Sequence, residues 1–158
     1  MRQAQPKEVK IKGHKCYIYK FGAMDATMIF GDLVKTLSPL IGLVSIFAEK
    51  GIDTEISPEL IANVFKGIDG ETLKKYIKTL LIDYENVFIE YDGEAEKVTE
   101  NNLNKVFTGQ IDGIFELMFE VLKENYSSFF DKSESRIGRA LAKLTGMTTT
   151  SEITANLT

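Results

Sequence analysis

The sequence feature that most constrains the fold is the stretch Thr99–Phe130, TENNLNKVFTGQIDGIFELMFEVLKENYSSFF. The pair Thr108-Gly109 divides it into two predicted helices, and the second helix is apolar around most of its circumference. Its apolar residues follow i, i+3, i+4 spacing: Ile111, Ile114, Phe115, Met118, Phe119 and Leu122, with Leu117 and Val121 widening the face. We therefore expect this helix to be buried on several sides, with the other elements packed around it.

The N-terminal segment 8–21 is predicted to form a β-hairpin. Polar and apolar residues alternate on either side of Gly13-His14, which offers a turn. One face of the hairpin is predicted to carry Val9, Ile11, Cys16 and Ile18, and the other Tyr17, Tyr19 and Phe21.

Helical patterns follow the hairpin. Asp25 is a candidate N-cap for the first helix, and Ser38-Pro39 is expected to break or kink it. A second, very apolar segment runs from Pro39 to Lys50, and Gly51 closes it. Further helices are predicted after Ser57-Pro58 and after Asp69-Gly70.

A second β-region is predicted near 87–98, because Val87–Tyr91 favours a strand and Asp92-Gly93 favours a turn. The return strand is weaker, and Thr99 is a natural N-cap for the next helix. The predicted fold is therefore mainly α with a small β component (α+β). It consists of an N-terminal β-hairpin, a compact bundle of about five to six helices, and a second short strand or hairpin near 87–98.

The predicted domain organisation is one helical domain over residues 1–131, followed by a C-terminal tail over 132–158. The tail has a weak helix pattern and then a Thr-rich end, which we expect to be flexible or ordered only by a partner.

The charge is unevenly distributed along the chain. The formal net charge is -4 and the pI about 5.1, which argue against a nucleic-acid partner. Residues 1–20 nevertheless contain six Lys or Arg residues and a single acid, Glu8. Two interpretations stay open: an exposed hairpin decorated with lysines, or a charge asymmetry that helps subunits associate head to tail.

No pattern in the sequence predicts catalysis, a cofactor or a metal. The single His14 and the single Cys16 fall short of the four ligands of a structural zinc site, and no glycine-rich phosphate loop occurs. Four acids recur every fourth residue along one helix: Asp112, Glu116, Glu120 and Glu124. We interpret this acidic row as a solvated stripe, with a surface for a charged partner as the alternative.

The apolar segment Leu37–Ala48 is the most informative anomaly. It is the clean apolar part of the longer run Ala26–Ala48 and is too short for a membrane span, so we predict a soluble chain without a membrane partner. It is either a kinked core helix or an exposed apolar face for self-assembly or a helical client. In the second case the candidate partner-binding residues are Leu40, Leu43, Val44 and Phe47.

The sequence resembles the tail assembly chaperones of long-tailed bacteriophages and prophages over roughly residues 9–130. The resemblance rests on four segments: IKGHKCYIYKFGAMDA, FGDLVKTLSPLIG, ISPELIANVFKGIDGETLKKYIKTLL and LNKVFTGQIDGIFELMFEVLKENYSSFF. These are patterns of apolar and turn residues and contain no catalytic signature.

The resemblance implies a mostly helical, self-associating, non-enzymatic protein of the host cytoplasm. Such a protein binds and solubilises the tape-measure protein, helps recruit tail-tube subunits during tail morphogenesis, and is absent from the mature virion. The alternatives are a structural or adaptor component of a phage particle, or a bacterial protein-interaction module.

Overall fold

The fold is that of a computed structural model. The structure describes residues 5–36 and 66–130, together with the single positions 57 and 59. Side chains are described through residue 33 in the first range and through residue 127 in the second. Within these ranges there are four strands and four helices. In chain order they are β1 (Lys7–Ile11), β2 (His14–Ile18), α1 (Ala23–Thr36), α2 (Gly70–Leu81), β3 (Val87–Tyr91), β4 (Glu94–Lys97), α3 (Glu100–Phe107) and α4 (Ile111–Phe130).

The strands form one antiparallel sheet in the order β1-β2-β3-β4. Each hairpin closes through a two-residue turn, Lys12-Gly13 and Asp92-Gly93, in which both residues have positive φ. That geometry is the type I′ turn, whose twist matches that of the flanking strands. The two hairpins join along β2 and β3, where Cys16 lies opposite Ile89 and Ile18 lies opposite Val87.

This sheet corrects the predicted fold class. We expected a mainly α fold, with a compact bundle of about five to six helices and two separate hairpins. The described residues instead form an α+β fold with four helices and a four-stranded antiparallel sheet that is part of the core. The prediction was wrong because each hairpin was treated as a local unit. Their inner faces are apolar, and pairing side by side buries Cys16, Ile18, Val87 and Ile89 together under the helices.

Two predicted helix starts are confirmed. Helix α2 begins at Gly70, and the structure adds that Asp69 caps it, its side chain accepting a hydrogen bond from the N–H of Thr72 at 2.8 Å. Thr99 caps α3 in a reciprocal arrangement with Asn102, so two backbone N–H groups at the helix start are satisfied. Asp25 does not have the predicted N-cap position, because α1 begins at Ala23 and Asp25 lies in its first turn.

Helix α4 is buried as the sequence predicts. Its buried residues point in several directions around the axis: Leu117, Met118, Phe119, Val121, Leu122 and Tyr126. The helix packs on α2, α3, β1 and β2. Ile111, which was assigned to the same apolar face, is instead 66% exposed at the start of the helix.

Close packing against α3 explains a glycine in α4. A Cβ at Gly113 would lie 2.6 Å from the ring of Phe107 and 3.0 Å from Cγ of Lys12. Gly113 therefore lets the start of α4 approach both α3 and the first hairpin turn. In the described ranges, no helix is both long and apolar enough to cross a lipid bilayer.

Candidate functional site

The acidic row of α4 and the lysines of the first hairpin face each other. Lys7 pairs with Glu120 at 3.0 Å, and Lys20 pairs with Glu124 at 3.5 Å. Lys12, in the hairpin turn, contacts Asp112 and also Glu116, the latter at 3.2 Å. The basic N-terminus and the acidic row thus form one ion-paired seam, which holds the hairpin against α4.

The ion pairs at the hairpin turn shift the pKa of two members of the seam, Lys12 and Asp112. Hydrogen bonds to Asp112 and Glu116 raise the pKa of Lys12 above its ordinary value. In return, Lys12 lowers the pKa of Asp112. Both shifts favour the charged forms of Lys12 and Asp112, so this pair stays ionised at neutral pH.

This pairing decides how the acidic row is interpreted. The row is neither a simple solvated stripe nor a set of converging catalytic carboxylates, because each of its four acids contacts a lysine of the hairpin. Sequence reasoning noted both charge clusters separately. The opposite charges of the two clusters and their matched spacing could have predicted that they form ion pairs.

Cys16 and His14 form no reactive pair. The Cys16 thiol is fully buried between the sheet and the helices, and burial raises its pKa to about 12. Sγ of Cys16 makes a weak contact of 3.9 Å with the carbonyl oxygen of His14. Among the described residues there is no group of His, Cys, Asp and Glu that could hold a metal ion.

Helix α1 presents an apolar surface to the outside. Ile29 and Leu33 are buried, and the ring of Phe30 lies 5.6 Å from that of Tyr126. On the outer side Met24 is 78% exposed and Met28, one turn further on, is 58% exposed. We call these two residues the methionine pair.

The described helices cover one face of the sheet and leave the other face open. Glu8, Lys10, Lys15, Tyr17, Phe88 and Glu90 share the open face, as the strand register requires. Tyr17 donates a hydrogen bond to Glu90 at 2.9 Å, and the ring of Phe88 meets that of Tyr19 edge-on at 5.6 Å. The predicted division of the first hairpin is confirmed except for Phe21, which is buried against Tyr84.

The predicted partner-binding residues Leu40, Leu43, Val44 and Phe47 lie outside the described residues. The same holds for the predicted helices after Pro39 and Ser57 and for the C-terminal tail. What the described ranges present outward is the methionine pair, the open sheet face and the sheet edges. These features suit contacts with other protein chains.

Comparison with known families agrees with a protein that acts by contacting other protein chains. A family model described as phage tail assembly chaperone protein, TAC, matches residues 12–138. The chain belongs to this family, and the resemblance inferred from its sequence is confirmed. Neither a curated protein nor a solved structure gives a significant match. The family assigns the chain to the assembly chaperones, which act on other proteins during tail assembly.

Proposed function

We propose that this chain self-associates, binds the phage tape-measure protein, keeps it soluble, and helps recruit tail-tube subunits while the tail is built. It does this without catalysis, in the host cytoplasm, and it is left out of the finished virion. The observation that supports this proposal most directly is the family match over residues 12–138. No nucleic acid, membrane or cofactor takes part.

The client surface begins at the methionine pair of α1. Methionine side chains are unbranched and polarisable, so they adapt to partners of different shape and are frequent at promiscuous binding surfaces. A tape-measure protein is long and helical by the family resemblance, and it offers many similar apolar stripes rather than one unique epitope. Met24 and Met28 are one helical turn apart, which suits contact with such a stripe.

The second part of the client surface is the candidate set Leu40, Leu43, Val44 and Phe47. These residues follow α1 directly in the chain, and their apolar surplus was the reason for choosing them. The proposal assigns both these residues and the methionine pair to client binding.

Co-expression with the tape-measure protein tests the proposal. The unaltered chain is expected to keep the tape-measure protein in the soluble fraction, and M24D/M28D and L43D/F47D are each expected to lose this effect. Thr27→Asp is the matched control, because Thr27 is exposed on the same helix between the two methionines. The far-UV circular dichroism of all variants is compared, since unfolding of L43D/F47D would identify Leu43 and Phe47 as core residues.

Two results contradict the proposal. If M24D/M28D and L43D/F47D both keep their fold and solubilise the tape-measure protein as well as T27D does, the client surface lies elsewhere. If the protein copurifies in fixed stoichiometry with mature particles, it is a structural or adaptor component instead of a chaperone.

The domain division is also part of the proposal: residues 1–131 form the working domain and 132–158 a tail. Limited proteolysis followed by mass measurement is expected to give a stable fragment ending near residue 131. A protected fragment that extends to residue 158 would contradict this division.

A further inference from the structure

Strand β1 is an outer strand of the sheet, and its charged residues are not all used within the fold. Lys7, Lys12, Lys15 and Lys20 each contact an acid of β3 or α4. Glu8 and Lys10 are both exposed, and neither has an ion pair among the described residues. Lys10 moreover lies directly opposite Lys15 of β2, a like-charge pair that is unfavourable across strands.

The backbone of the same two residues faces away from the sheet. Ile11 and His14 flank the two-residue turn and form the first hydrogen-bonded pair, and such pairs alternate along an antiparallel ladder. Lys7, Val9 and Ile11 therefore direct their N–H and C=O groups to β2. Those of Glu8 and Lys10 point outward from the edge.

We infer that the edge of β1 pairs antiparallel with β1 of a second copy of this chain, about a two-fold axis at Val9. Glu8 of each copy then lies opposite Lys10 of the other, and both pairs exchange backbone hydrogen bonds. Each Lys10 gains an acidic partner that the described residues of its own chain do not supply. The two four-stranded sheets become one continuous sheet.

Charge selects this register over the others that the outward backbone groups allow. Pairing Glu8 with its own copy, or Lys10 with its own copy, places like charges directly opposite each other. The opposite edge, β4, permits no comparable pair. Its outward residues are Ala95 and Lys97, and each symmetric register there brings together Glu96 with Glu96, Glu94 with Glu96, or Lys97 with Lys97.

Pro6 and the acidic row bound the interface. In the proposed register Pro6 lies opposite the partner's turn, where its missing N–H costs no ladder hydrogen bond. In the proposed dimer the acidic rows of the two α4 helices come closer to each other, but Lys7 and Lys12 already neutralise part of their charge. Because the strand has five residues, the dimer is expected to be weak and to depend on concentration.

The β1–β1 contact is the interface for the self-association included in the proposed function. It rests on the proposed function only for the biological role of the dimer. Sedimentation of the full chain over a concentration series tests it. E8K and K10E place like charges in both pairs, and each is expected to weaken dimerisation at least tenfold. The double variant E8K/K10E exchanges the charges and is expected to dimerise like the unaltered chain.

The most specific test mixes the two single variants. Each alone repels itself, but in an equimolar mixture both pairs become complementary, so a heterodimer is expected. Lys75→Glu, an exposed α2 position with the same charge change as K10E and no ion pair among the described residues, is the matched control and should dimerise normally.

Three results overturn the inference: a chain that stays monomeric at all concentrations, single variants that associate as well as K75E, or a mixture that does not associate. If K97E, and not K10E, restores the dimerisation of the E8K variant, the interface is a head-to-tail contact between β1 and β4 instead of the β1–β1 contact. The tape-measure solubility assay is run on the same variants. If a variant loses the dimer but still solubilises the tape-measure protein, the interface is separate from client binding, and the client-binding part of the proposed function stands. If the dimer forms as inferred but the tape-measure protein is not solubilised, the interface stands and the client-binding part of the proposed function is wrong.

Discussion

Helices α1 and α4 both carry more apolar residues than one packed face requires, and the fold uses them differently. Around α4 lie two strands and two helices, so its surplus is buried on several sides and its remaining polar row is ion-paired to the hairpin. Around α1 the described elements cover one side, where Ile29 and Leu33 are buried, and Met24 and Met28 remain exposed. An apolar surplus thus identifies a core element only where enough neighbours exist to cover it.

The largest expected difference between the two helices comes from removing a phenylalanine from each. Phe119 of α4 is 1% exposed, and Phe119→Ala is expected to lower the free energy of unfolding by about 3–5 kcal/mol through lost burial and a cavity. Phe30 of α1 is half-buried, so Phe30→Ala should cost clearly less. Chemical denaturation measures both. Equal losses would mean that α1 is as deeply packed as α4.

Glycine-to-alanine substitutions in the two helices are expected to act in opposite directions. Gly113→Ala places a methyl group 2.6 Å from Phe107 and should destabilise the fold by about 1–3 kcal/mol. Gly31→Ala in α1 meets nothing within 4 Å and should stabilise the fold by up to about 1 kcal/mol, because alanine favours helix. Thermal unfolding of the pair checks the signs. A stabilising G113A would show that α4 does not approach α3 this closely.

The ion-paired seam is expected to contribute less to the free energy of unfolding than these packing contacts do. Lys7→Met keeps most of the aliphatic stem but removes the pair with Glu120, and it is expected to cost under about 1 kcal/mol because the pair is partly exposed. The loss should shrink as salt is added. Lys75→Met, at an exposed α2 position without an ion pair among the described residues, is the control and should change little. A loss that does not depend on salt would indicate that Lys7 acts through packing.

Much of the local structure could be predicted from sequence, because the determining interactions are local. Local residues, within one or two helical turns or one hairpin, determine the Thr99 cap, the start of α2 after Asp69, the Asp92-Gly93 turn and the buried character of α4. The joining of the hairpins could not be predicted in the same way. Cys16 pairs with Ile89 across more than seventy positions, and no local pattern specifies that partner.

The candidate site shows the same limit. Both charged clusters of the seam were visible in the sequence, yet which lysine meets which acid depends on α4 lying antiparallel along β1. The methionine pair was missed, because sequence reasoning used the apolar spacing of α1 only as evidence for a helix. Helical spacing places Met28 beside Ile29, and spacing alone does not decide which side of an apolar helix is covered.

Serine substitutions in the methionine pair have the smallest expected effect on stability. Because Met24 and Met28 are mostly exposed, Met24→Ser and Met28→Ser should each change the free energy of unfolding by no more than about 0.5 kcal/mol. Met118→Ser in α4 is the matched substitution at a buried methionine and should cost several times more. If Met28→Ser instead destabilises the isolated protein by more than about 1 kcal/mol, the methionine pair is covered by another part of the same chain. It would then belong to the core, and the comparison between the two helices would lose its functional meaning. If both serine variants are neutral for folding but lower solubilisation of the tape-measure protein, the exposed side of α1 is maintained for contact with another chain.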